Sequence, residues 1–157
     1  MKADYRKLVV SIGGSLMAGV AGSIYTAQSV KSWYPTLSKP WFNPPAWVFG
    51  PVWTLLFIMM GVSFYLVWTK GKKKKLHSEA MAVFLVQLIL NVTWSYLFFS
   101  WKNITLALAE IVVLWVMILL TIKKFMMIDK TAGYLMWPYL AWVSFATVLN
   151  LAIVWLN

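Results

Sequence analysis

The 157-residue chain has no cysteine, one histidine and four carboxylate residues, set against fourteen lysines and arginines. Without cysteine there is no disulfide framework, no thiolate nucleophile and no thiolate metal site, and the compartment cannot be read from redox chemistry. Charged residues make up only 11% of the chain and hydrophobic residues 62%, whereas ordinary globular domains carry roughly 25% charged residues. Together with a mean hydropathy of +0.75, this excludes a soluble domain and implies a membrane protein. The single histidine, His77, follows a run of lysines, so no imidazole lies within a membrane segment to act as a base or haem ligand. No carboxylate pair, phosphate-cradling glycine loop or metal-ligand cluster is present; Asp4, Glu79 and Asp129 all fall near membrane surfaces. Classical acid–base catalysis and a metal centre are therefore not expected.

Proline is scarce except in one place. The stretch WYPTLSKPWFNPPAWVFGPVW, residues 33–53, holds five of the six prolines and four of the eleven tryptophans. Each proline fixes φ, removes a donor and pushes the residue before it out of the α region, so residues 33–45 are predicted to form a stiff, turning loop. Its aromatics gain by burial, which argues against disorder and for a packed lid, with Trp53 carried inward by the next helix.

Five apolar segments reach the roughly 20 residues needed to cross a bilayer, at about 8–28, 46–69, 79–101, 104–122 and 133–156. No period-2 alternation suggests a barrel, and only helices satisfy every backbone group over such runs in lipid. The expected fold is an all-α bundle of five transmembrane helices forming one domain, with the proline-tryptophan loop between the first two. Eleven Lys and Arg residues (Lys2, Arg6, Lys7, Lys70, Lys72 to Lys75, Lys123, Lys124, Lys130) fall on one side of this topology, and Lys31, Lys39 and Lys102 on the other. The positive-inside rule then places the amino terminus in the cytoplasm, and the lid and carboxyl terminus outside. The formal charge of +10 is read as a topology signal lying on anionic lipid, not as a nucleic-acid site. A cleaved signal peptide is disfavoured for the first segment, because its removal would leave four helices with reversed end placement.

Within the first helix, Gly14, Ala18 and Gly22 recur every four residues, as do Ser15, Gly19 and Ser23. Such stripes let helix backbones approach closely, either within the chain or between two copies. Most tryptophans lie near segment ends, as an interfacial belt does. Trp53, Trp94, Trp115 and Trp142 lie deeper, and each brings an indole donor that needs a partner. Asn91, Trp94, Ser95 and Phe98 share one helical face, and Pro138, Trp142, Ala146 and Asn150 share another, with Pro138 loosening its helix near the start. Glu110 and Asn150 lie at similar depths and are expected to meet, either in a structural hydrogen bond or as a proton site. These residues outline an aromatic, amide-lined cavity beneath the lid, suited to a flat hydrophobic ligand.

The block at residues 33–61, with LNVTWSYLFF, ALAEIVVLW and PYLAWVSFATVLNLAIVWLN following in order, resembles the translocator protein / tryptophan-rich sensory protein (TspO/MBR) family, also called the peripheral-type benzodiazepine receptor. The resemblance spans about residues 33–157 and implies a five-helix membrane protein, commonly a homodimer. It further implies a receptor, carrier or sensor for porphyrins such as protoporphyrin IX and haem, with the porphyrin as ligand and no obligatory cofactor. By motif position, Trp53 and Trp142 would line the pocket, Asn91 would contact ligand, and Tyr34 and Pro44 would close it from the lid. Where members degrade porphyrin in light and oxygen, the same two tryptophans are implicated, and any enzymatic activity is expected to go no further.

Two positions depart from the family pattern. The animal members' cholesterol-recognition tyrosine and arginine are replaced by Leu151 and Trp155, so cholesterol is not the expected ligand, and the usual fourth-helix aspartate is Glu110. The competing expectation is a small proton-coupled transporter that uses Glu110. The short chain, without a targeting extension or the animal sterol pattern, points to a prokaryotic plasma membrane. Asn103-Ile104-Thr105 reads as a helix start rather than a glycan site.

Overall fold

The computed structural model of the chain describes residues 4–157, so Lys2 of the amino-terminal charge count lies outside it. All regular structure among the described residues is helical: α1 (Tyr5–Ser32), α2 (Ala46–Lys70), α3 (Lys74–Ser95), α4 (Ile104–Ile128), α5 (Lys130–Leu135) and α6 (Trp137–Leu156). With α5 and α6 forming one crossing, five stretches are long and apolar enough to span a bilayer, as expected. The helices outrun the predicted spans, most clearly at Tyr5, Lys74 and Ile128. Hydropathy registers only the part of a helix that crosses hydrocarbon, whereas polar caps carry it further. Asp4 accepts from the Lys7 amide at 3.2 Å, Asn103 from Leu106 at 2.9 Å and Asp129 from Ala132 at 2.9 Å. Asn103 thus starts α4, as its sequence context suggested.

Two irregularities shape the bundle. α3 ends in a π turn, Tyr96–Ser100, where the Trp101 amide donates to the Tyr96 carbonyl at 3.0 Å. The wider turn leaves Leu97, Phe98 and Phe99 all buried. At the other end of the molecule, Met136 separates α5 from α6, and Pro138 follows in the first turn of α6. Proline has no amide to give and disfavours α geometry just before it, so the predicted loosening is a true interruption.

Antiparallel packing gathers the start of α1 and the junctions α2–α3 and α4–α5 at one end. There Lys70 pairs with Asp129, Lys124 with Glu79 at 2.7 Å, and the Asp4 amide donates to the Tyr65 hydroxyl at 3.2 Å. The described basic residues outside Lys31, Lys39 and Lys102 all belong to this end. Behind them Phe84 stacks on Phe125 with ring centroids 5.6 Å apart, and the Ser63 hydroxyl donates to the Ala132 carbonyl at 2.7 Å. α1 and α2 come close because Gly61 is bare: a Cβ there would lie 2.5 Å from the Ile12 Cα.

The opposite end carries the lid. It begins with a short 3-10 turn, Tyr34–Thr36, and packs Leu37 and Phe42 towards Leu97, Phe98, Leu149 and Ile153. The tryptophans of this stretch divide: Trp33 is half-buried against Phe98, whereas Trp41 is 95% exposed and Trp47, in the first turn of α2, 76%, so burial of the lid's aromatics is only partial. An indole with an apolar body and a polar edge is stable at a headgroup boundary, so Trp41 and Trp47 belong to the interfacial belt.

Candidate functional site

Beneath the lid lies a cavity of about 570 Å³, walled by α1, α2, α3 with its π turn, and α6. α2 presents Phe49, Trp53 and Phe57 at spacings of four, one face of the helix. α3 presents Asn91, Trp94 and Ser95, and the π turn completes the predicted face with Phe98 and adds Phe99. α6 contributes Trp142, Ala146 and Asn150, and Tyr34 reaches in from the lid. Tyr34, Trp53, Asn91, Trp94, Ser95, Trp142, Ala146 and Asn150, named from the sequence, therefore meet around one space.

Two other named residues do not. Pro44 is not part of the wall; its carbonyl accepts from Asn43 Nδ2 at 3.2 Å within the lid. Pro138 is exposed and lines, with Ala141 and Phe145, an outward groove between α2 and α6.

The remaining wall is the face of α1 that carries Leu16, Gly19, Thr26 and Val30, which the sequence reading missed as site residues. Its signal was the second small-residue stripe, since Gly19 leaves room for the Phe57 ring, 2.6 Å from where a Cβ would stand, and Ser23 also lines the cavity. The first stripe diverges: Gly22 packs against Ser95, while Gly14 meets nothing within 4 Å. Exposed lining residues Val20, Ala27, Gly50 and Thr54 place an opening of the cavity between α1 and α2.

The polar groups divide into spent and unspent. Asn150 is fully engaged: Oδ1 accepts from the Trp94 indole at 3.2 Å, and Nδ2 donates to the Ile104 carbonyl at 2.9 Å, tying α3, α4 and α6 together. The expected pairing of Asn150 with Glu110 is thus overturned. Both Glu110 oxygens are buried without a hydrogen-bond partner among the described residues, and Glu110 does not line the cavity. The deep Trp115 indole donates to Ser144 at 2.8 Å, whereas buried Trp142 Nε1 has no partner among the described residues. Asn91 Nδ2 donates to the Tyr139 hydroxyl at 2.9 Å, and among the described residues its Oδ1 accepts no hydrogen bond. That oxygen is the free amide acceptor on the cavity wall.

The lid is itself cross-braced. The Tyr34 hydroxyl donates to Asn43 Oδ1 at 2.7 Å, and Lys39 Nζ donates to the carbonyls of Tyr34, Pro35 and Leu37 at 3.0, 3.2 and 2.7 Å. Asn157 clasps it to the end of α6, accepting from the Ser38 amide and donating to its carbonyl, both at 3.0 Å.

A multi-pass helical membrane protein with an aromatic, lidded cavity inside its bundle is the class this architecture defines. Comparison makes it specific: the TspO/MBR family profile matches residues 11–156, and the chain belongs to that family. It is 45% identical over 157 residues to the tryptophan-rich protein TspO of Chlorobaculum tepidum, covering 100% of this chain and 99% of that one. Its identity to the tryptophan-rich protein TspO of Archaeoglobus fulgidus is 45% over 151 residues, 96% and 97% of the two chains. The translocator protein of Bos taurus is 33% identical over 144 residues, 91% and 82% of the chains.

Proposed function

We propose that the protein is a membrane receptor or carrier that takes tetrapyrroles, protoporphyrin IX among them, and similar flat hydrophobic ligands into the cavity beneath the lid. The observation that carries this reading is the wall itself: Trp53, Trp94 and Trp142 surround one space that also holds the unengaged Asn91 oxygen. Aromatic faces bind flat rings by offset stacking, and a single amide acceptor orients them. The amino terminus is cytoplasmic in this reading, since the lysine-rich end stays inside. Close relatives in two prokaryotes support a prokaryotic plasma membrane.

The test is a titration of purified protein with protoporphyrin IX in detergent, followed by tryptophan fluorescence. Saturable quenching near micromolar concentration, about 8 kcal/mol of binding, is expected to weaken in Trp53→Phe and Asn91→Ala. Linear quenching that ignores both substitutions would mean partitioning into micelles and would end this reading. Light-dependent degradation of the bound porphyrin would run through Trp53 and Trp142, and Trp142→Phe should then slow bleaching under equal illumination.

A second reading, proton-coupled transport, is favoured by the unpartnered, buried Glu110 carboxyl. It requires flux in proteoliposomes that disappears in Glu110→Gln while binding survives. Its weakness is position, because Glu110 lies off the cavity wall.

A further inference from the structure

Among the described residues, Lys31 is the one charged side chain on the cavity wall. It stands in the last turn of α1, exposed, where the cavity meets the lid end of the bundle. No hydrogen bond or ion pair engages it among the described residues. The four carboxylates explain why: Asp4 lies beside Lys7, Glu79 pairs with Lys124 and Asp129 with Lys70, all at the far end, and Glu110 is buried off the cavity. Of the other two cations at the lid end, Lys39 is occupied by three lid carbonyls and Lys102 stands over the Trp33 ring at 6.0 Å. Lys31 is therefore a cation without a counter-charge, facing a hydrophobic pocket.

We propose that Lys31 selects flat ligands that carry a carboxylate at one edge, and holds that edge at the rim while the ring lies among the tryptophans. This rests on the cavity being the ligand site. The physical reason is directional: a carboxylate drawn into the aromatic interior would lose its hydration without meeting a cation. At the rim it keeps part of its water and gains an ammonium partner on a flexible apolar stem. The ligand is thus oriented acid edge outward, and a neutral analogue of the same ring gains nothing from Lys31.

The test compares protoporphyrin IX with its dimethyl ester, which keeps the ring and removes both charges, in lipid-free non-ionic detergent. Binding is measured for the parent, Lys31→Met and Lys31→Glu. The diacid should weaken about fivefold in Lys31→Met, the range of a partly exposed ion pair, and further in Lys31→Glu. Added salt should shrink the difference. The ester should bind all three proteins alike, which also shows that the variants fold. Equal shifts for acid and ester, or none for either, overturn the role of Lys31 while the cavity reading stands. Saturation by neither probe in the parent overturns the cavity reading and this inference with it.

Discussion

At the lysine-rich end, Phe84, Phe125, Met60, Val67, Ile118 and Ile122 fill the space between helices, each 2% exposed or less. At the lid end, Phe49, Trp53 and Trp142 instead stand around about 570 Å³ of open volume. Both halves are aliphatic and aromatic, so composition does not separate them. The difference lies in which residue faces which: near the lid, α1 offers Gly19, Ser23 and Thr26 to helices whose rings lean on one another. Phe49 meets Trp142 at 5.9 Å, and Trp94 stacks on Phe98 at 5.1 Å. In lipid, helices associate through packing and hydrogen bonds, since tails are as apolar as side chains. A hollow forfeits dispersion contacts, and the ties through Asn150 and the Asn157 clasp offset part of that loss.

The largest expected effect tests the contrast directly. Phe84→Ala should lower stability by about 3 kcal/mol, as truncation in a filled core does, whereas Phe49→Ala should cost nearer to 1 kcal/mol because space is already open beside it. Unfolding midpoints in detergent measure both, and equal losses would break the distinction between a solid and a hollow half.

The two ends should also fail at opposite extremes of pH. Burial pushes the Tyr34 hydroxyl up to about 12. A raised group keeps its proton in the folded lid, so its contribution is complete below about pH 10 and is lost as pH rises towards 12. Asp129 is the reverse case: partial burial pulls its carboxyl up, but the Lys70 ammonium and the amides of Ala132 and Thr131 outweigh that and hold it below its ordinary value. Its contribution is present above about pH 4 and is lost on acidification through the depressed value. Tyr34→Phe should remove an alkaline step in thermal unfolding and leave the acid side unchanged, and Asp129→Asn should do the opposite. One variant altering both arms would show that the ends do not respond separately.

The smallest effect concerns the turn before α4. Lys102 has φ of 55°, in the left-handed region where a Cβ is strained. Lys102→Gly should therefore stabilise by at most about 1 kcal/mol, less the loss of its contact with Trp33. A clear destabilisation would mean that this contact matters more than the backbone strain.

Much of the site was legible because helical spacing is local. Asn91, Trp94 and Ser95, or Trp142, Ala146 and Asn150, lie on one face whatever surrounds them, and both faces do meet at the cavity. The π turn was not legible, since the bond from Trp101 to Tyr96 depends on how Phe98 and Phe99 pack. Nor was the partner of Asn150. Similar depth made Glu110 plausible, but depth is one coordinate, and rotation about each helix axis turned Asn150 towards Trp94 and Ile104.

The sequence alone determined that the chain crosses a membrane five times as helix, and which loops carry the lysines. Both follow from conditions each segment meets by itself: lipid leaves a backbone no partner outside its own helix, and a short apolar run cannot span the bilayer. Only the tertiary structure decided where the bundle is hollow, which polar groups are spent, and that Lys31 brings charge to the cavity rim. Those outcomes depend on the facing of helices far apart in the chain, where the absence of one Cβ, as at Gly19, sets how much space two helices leave between them.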